Sequence, residues 1–149
     1  MQLSRVLGLS GLVVCLLAPG EPAAAETPTS RDATEVAASI AAPGVVEIET
    51  RDESGEPRRT KIWIVSQAEM VYVRTTDSRW NGNLLRDGKA TLHSEASTAD
   101  ATAEQVSDAE LQSSVNALFA EKYGFSNTLR NLAVGLGSAN MWALTLATP

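Results

Sequence analysis

Between Arg58 and Leu85 the run RRTKIWIVSQAEMVYVRTTDSRWNGNLL sets two alternating segments, a tight turn and a polar strand-to-helix junction side by side. The junction, Thr75-Thr76-Asp77-Ser78-Arg79, offers hydroxyls, a guanidinium and the unpaired backbone N–H groups of a helix start, the donor set that a phosphate requires. Arginine suits the task because its planar fork grips two oxygens at once, and a charge-assisted bond is stronger than a neutral one. Arg59 and Lys61 on the preceding segment are placed to complete such a pocket. Trp63 and Trp80 offer flat apolar surface for a ring system, and Asn83 a donor and an acceptor for its edge. Each residue also has a structural reading: the two tryptophans as core, Ser78 as a helix cap, Arg79 as a surface partner of Asp77 or Asp87. Their density at one junction is what points to a ligand.

Charge supports an anionic one. From Arg58 to Lys89 seven basic residues face three acidic ones, a local balance of +4 in a chain whose net charge is −6. A confined positive region on an acidic protein attracts a small anion rather than nucleic acid. Other chemistries find little support. The chain has one histidine, His93, whose place in an alternating segment suits an exposed or hydrogen-bonded side chain better than a catalytic or haem-ligating one. Its one cysteine, Cys15, lies in the leader, so a zinc site would have to be mostly carboxylate. The acids Glu47, Glu49, Asp52, Glu53 and Glu56 lack the spacing of a calcium loop, and no nucleophile elbow, phosphate loop or zincin motif occurs. No catalytic residue can be assigned.

The elements that must position these groups are short. Asp32 and Glu35 open a helix that ends before Pro43-Gly44, with Val36 and Ile40 as its buried stripe. Alternation over 45–51 gives a half-buried strand, and 52–57 a hairpin loop. A second strand covers Arg58 to Ser66 and a third Met70 to Thr76, running directly into a helix that carries Trp80, Leu84 and Leu85 and closes at Gly88. Lys89 to Glu95 and Thr98 to Glu104 are the fourth and fifth strands, the latter with Ala99, Ala101 and Ala103 inward. Ser107 and Glu110 form a capping box for a helix with Leu111, Val115, Leu118 and Phe119 on one face, ending at Gly124. Phe125 to Asn140 reads as a short helix, a lid or a subunit contact, and Met141 to Thr148 as the sixth strand. Six short antiparallel strands with inserted helices predict a mainly β fold, a small barrel whose closure removes exposed edges.

Residues 1–25 read as a secretory signal: Arg5, an apolar run from Val6 to Ala18, and the small-residue site Ala23-Ala24-Ala25, with cleavage before Glu26. The run is too short for a stable membrane span. Cys15 offers a weaker lipoprotein alternative, since Val14 fills the place where such sites take a small residue. Removing the leader takes Arg5 and Glu21 together, so the mature charge stays at −6. Residues 26–44 form an arm and short helix and 45–149 one domain, expected in the periplasm or outside the cell and stabilised by packing without disulfides.

Arg58-Arg59-Thr60-Lys61-Ile62-Trp63-Ile64, Val71-Tyr72-Val73-Arg74-Thr75, Arg79-Trp80, Asn83-Leu84 and Lys122-Tyr123-Gly124 together resemble the pyridoxamine-phosphate-oxidase-like split barrels, and more narrowly a small bacterial branch beside the deazaflavin-dependent nitroreductases. The resemblance runs from Val45 to the strand containing Leu144 and Leu146. It implies a six-stranded split barrel, commonly a homodimer, with FMN between subunits; deazaflavin and haem are less favoured. It places Thr75, Thr76, Ser78 and Arg79 at the phosphate and Lys61 and Trp63 beside the isoalloxazine ring. A flavin-dependent oxidoreductase is the activity implied, and a non-catalytic binding module with another ligand, such as haem, is the alternative.

Overall fold

The computed structural model describes residues 30–134 and 140–147, so the expected leader lies outside the described residues. Helix α1 (Ser30–Ala41) precedes strands β1 (Val46–Arg51), β2 (Pro57–Ile62), β3 (Ile64–Gln67) and β4 (Met70–Thr75). Helix α2 (Arg79–Asp87), β5 (Lys89–His93), β6 (Thr98–Gln105), α3 (Ala109–Val134) and β7 (Asn140–Leu146) follow. All strands pair antiparallel in one sheet, ordered β2-β1-β5-β6-β7-β4-β3.

The sheet has seven strands, not six, because the expected second strand breaks at Trp63. Ile62 pairs with Val46 of β1, whereas Ile64 pairs with Val73 of β4. One stretch of chain therefore supplies both edges of the sheet, and with a single residue between them the sheet must curl into a half-barrel, consistent with a split barrel. Alternation sends Ile48, Val71, Val73, Leu92, Trp142 and Leu144 into the curl, where they form one core with Ala37 and Ile40 of α1 and Trp80 and Leu84 of α2. Each fully buried aliphatic side chain stabilises this core by roughly 1.5–3 kcal/mol. On the opposite face Val115 and Phe119 of α3 cover Val65, Tyr72 and Met141.

Three local details of the helices refine the sequence reading, and one of them, the cap of α3, corrects it. Leu85 is 60% exposed, since it follows Leu84 by a single residue, about 100° round the helix from the inward stripe that Trp80 and Leu84 share. The cap of α3 is Asp108, whose carboxylate accepts from Leu111 N–H at 2.7 Å, in place of Ser107. Gly124 (φ 50°, ψ −127°) leaves the helical conformation and ends the first helical stretch of α3 as expected, and a second stretch continues beyond the kink to Val134. The first half of the segment 125–140 is thus helical backbone, and 135–139 lie outside the described residues. No helix among the described residues is long and apolar enough to cross a membrane.

Candidate functional site

The junction between β4 and α2 is built on hydroxyls. Ser78 is extended (φ −134°, ψ 158°) and its Oγ accepts from Asn81 N–H at 3.3 Å, capping α2. Thr75 Oγ1 lies 2.8 Å from Ser78 Oγ and donates to Thr76 O at 3.0 Å, so Ser78 must be the donor between the two hydroxyls. Both protons are thereby spent inside the cap. What remains outward is Thr76, half-buried, and Arg79, exposed at the first position of α2, whose first turn contains no acidic side chain. An anion there would meet a guanidinium and the positive end of the helix dipole, with the exposed Asp77 as the one nearby opponent in sequence.

Other predicted residues are structural. Trp80 is only 7% exposed within the core, so it offers no ring platform. Asn83 is buried, donating to Thr50 Oγ1 at 2.9 Å and accepting from Arg86 at 3.1 Å; α2's turn points it at β1 rather than at a ligand edge. Asn81, unremarked in the sequence, is also buried and accepts from Trp142 Nε1 at 2.9 Å.

Across the break lies β2. Ile64 pairs with Val73 of β4, whereas Ile62, on the other side of Trp63, pairs with Val46 of β1. At this seam the cationic β2 stands on one side of Trp63 and β3 on the other, paired with the β4 that leads into α2. Arg59 of β2 bonds Glu49 at 2.7 Å, and Lys61 is exposed. Trp63 stacks on Tyr123 with centroids 4.5 Å apart and planes at 6°.

Tyr123 and Lys122 of α3 hold the break in place. The Tyr123 hydroxyl donates to Ile64 O at 2.8 Å and accepts from Ile64 N–H at 2.9 Å, replacing a neighbouring strand. Lys122 Nζ donates to Ile64 O at 2.9 Å, to Pro43 O at 3.1 Å and to Ala41 O, joining α1, its following loop and β3. Burial lowers the Lys122 ammonium's pKa and raises that of the Tyr123 phenol. Tyr123→Phe should keep the stack but leave the Ile64 amide and carbonyl short of a partner, costing about 1–2 kcal/mol in urea denaturation. A variant as stable as the parent would remove this role from the hydroxyl.

The hairpin before β2 carries the clearest titration. The Ser54 hydroxyl, with Glu56 N–H, Ser54 N–H and Arg58 behind it, holds the Asp52 carboxyl down to about 2. Glu49 is lowered mainly by its bond to Arg59. Depressed carboxyl pKa values contribute stability that is complete above the unfolded value and disappears as pH falls through the folded one. Urea midpoints should therefore fall on acidification, for Asp52 from about pH 4 down to about pH 2, and Asp52→Asn should flatten that slope.

Two cavities open among the described residues. One of about 530 Å³ opens among β1, β5, β6 and β7, and one of about 300 Å³ lies between α1 and α3 beside Ser66 and Lys122. The donor set at the seam fits a phosphate in kind, through Arg79, Thr76 and a helix start free of acids, while the position of a ring is fixed only by Trp63.

Comparison with known proteins adds the following. A family profile described as "Uncharacterized protein conserved in bacteria (DUF2255)" matches residues 37–139. No curated protein matches. Among solved structures, the heme storage protein HutZ from Vibrio cholerae is 21% identical, with 77% of this chain and 89% of that one covered at a TM-score of 0.61. A FAD-binding protein from Mesorhizobium loti is 9% identical, with 80% and 91% covered and a TM-score of 0.56. ChuZ from Campylobacter jejuni is 13% identical, with 81% and 55% covered and a TM-score of 0.59. At these identities the likeness shows a shared fold.

Proposed function

This chain belongs to the bacterial family DUF2255, and from the donor set at the start of α2 we propose that it binds a phosphorylated flavin, FMN, as an exported split-barrel oxidoreductase. The observation that carries the reading is the exposed Arg79 in the first turn of α2, a turn that holds no acidic side chain. Arg79, Thr76 and the first N–H groups of α2 hold the phosphate, with Thr75 and Ser78 shaping the turn beneath it. Lys61 and Trp63 flank the ring, and Tyr123 keeps the indole plane fixed. The bound flavin supplies hydride or electron transfer; the chain's part is to bind and orient it. A leader over residues 1–25 carries the domain out of the cytoplasm, and a second copy covers the flavin in a homodimer.

Haem is the competing cofactor, since HutZ is a heme storage protein. One observation weighs against ligation by His93: its Nε2 lies 3.1 Å from Glu49 and its Nδ1 3.2 Å from Thr98, so both ring nitrogens are engaged. The absorbance spectrum of the purified protein separates the readings. Flavin bands, or flavin fluorescence quenched on titration with FMN, support the proposal. A Soret band, or saturation by a deazaflavin but not by FMN, overturns it.

A further inference from the structure

The larger cavity has its own chemistry. Lys89 pairs with Thr102 and Thr102 with Thr145, and Arg51 lies two residues beyond the Glu49–Thr91 pair on the neighbouring β1. Arg51, Lys89, Thr102 and Thr145 all line the cleft. Two cations lining one cleft repel each other. Two acids of the cleft are paired elsewhere, Glu49 with Arg59 and His93 and Asp87 with Arg86, while Asp100 accepts from the Thr91 hydroxyl and is in no ion pair among the described residues. Among the described residues neither Arg51 nor Lys89 is in an ion pair. Arg51 is instead tethered by a 2.9 Å bond to Gly55 O, which fixes one guanidinium nitrogen and leaves the others for a second acceptor.

We propose that this cleft binds a small organic acid whose carboxylate bridges Arg51 and Lys89, with the Thr102 and Thr145 hydroxyls along its flank. The volume, about 530 Å³, suits a ligand of ordinary metabolite size rather than a bare ion. The site is distant from the junction that begins α2. Thr75 pairs with Asn140 at one end of β7, and Thr145 lies five residues along, about 17 Å away at strand rise. A phosphate held at Arg79 would not reach it.

The test is an amide chemical-shift titration of the purified protein with hexanoate, repeated with inorganic phosphate and in Arg51→Gln, Lys89→Gln and Arg79→Ala proteins. Saturable shifts at Thr91, Thr102 and Thr145 are expected, about tenfold weaker affinity in each glutamine variant, no change in Arg79→Ala, and weaker binding of phosphate than of hexanoate. Lys89→Gln relieves the repulsion, so its melting temperature should not fall below the parent's, which separates loss of binding from loss of fold. Hexanoate binding that is absent, that ignores both glutamine substitutions, that vanishes in Arg79→Ala, or that phosphate matches would overturn the assignment.

Discussion

Trp142→Ala is expected to remove most of the folding stability of the domain. The indole is 3% exposed in the barrel core, and emptying such a site costs roughly 3–5 kcal/mol in lost transfer energy and residual cavity. A second cost adds to this, because the Asn81 carbonyl that accepts from Trp142 Nε1 at 2.9 Å would stay buried without its donor, at roughly 1–3 kcal/mol. Domains of this size are stable by about 5–15 kcal/mol, so urea denaturation followed by circular dichroism should show a protein partly unfolded before denaturant is added. Trp142→Phe divides the two terms: it keeps most of the packing and loses the donor, and should cost the smaller amount. A Trp142→Ala midpoint close to the parent's would mean that β7 does not close the core.

Trp142 was legible as an inward residue because it alternates with Leu144 and Leu146; its dependence on Asn81 was not, since a polar residue on a short helix carries no mark of facing inward. The same contrast runs through the fold. Strand alternation located β1, β4, β5, β6 and β7, and the glycine at 88 closed α2 in a left-handed turn (φ 63°) as expected. The break at Trp63 left no trace, because Ile62 and Ile64 keep the period of an unbroken strand. What divides them is the placement of β1 and β4 at distant positions of the sheet order, which is a property of topology. Likewise Ser107 and Asp108 both satisfy the chemistry of a cap, and only the final turn geometry selects the aspartate.

At the seam, residue types were readable and commitments were not. Arg59 could be recognised as a cation, but its bond to Glu49 is set by cross-strand register ten residues away. Asn83 meets Thr50 over a separation of 33 residues, and Tyr123 meets Ile64 over 59. Such pairs have no local signature. Ser78 shows a different limit: capping and phosphate binding ask for the same hydroxyl beside the same helix start, and the structure gives its proton to Thr75.

That division of labour makes the two neighbours separable by experiment. Arg79→Ala should weaken FMN binding by roughly 1.5–3 kcal/mol, about one to two decades in Kd, by removing a charge-assisted contact to phosphate. Arg79 is exposed, so solvent screening places the effect toward the lower figure and makes it shrink as salt is raised. Arg79→Lys should recover only part of the loss, since an ammonium supplies charge without the paired geometry of the guanidinium. Ser78→Ala should act the other way round. Its hydroxyl holds Asn81 N–H and Thr75, so the loss should fall on folding, about 1 kcal/mol, with FMN affinity little changed at temperatures where the protein is folded. Fluorescence titrations of the three variants at two ionic strengths read this directly. Equal affinity in Arg79→Ala and the parent, together with a stability loss in the arginine variant, would make Arg79 a structural residue and take the phosphate away from this helix start.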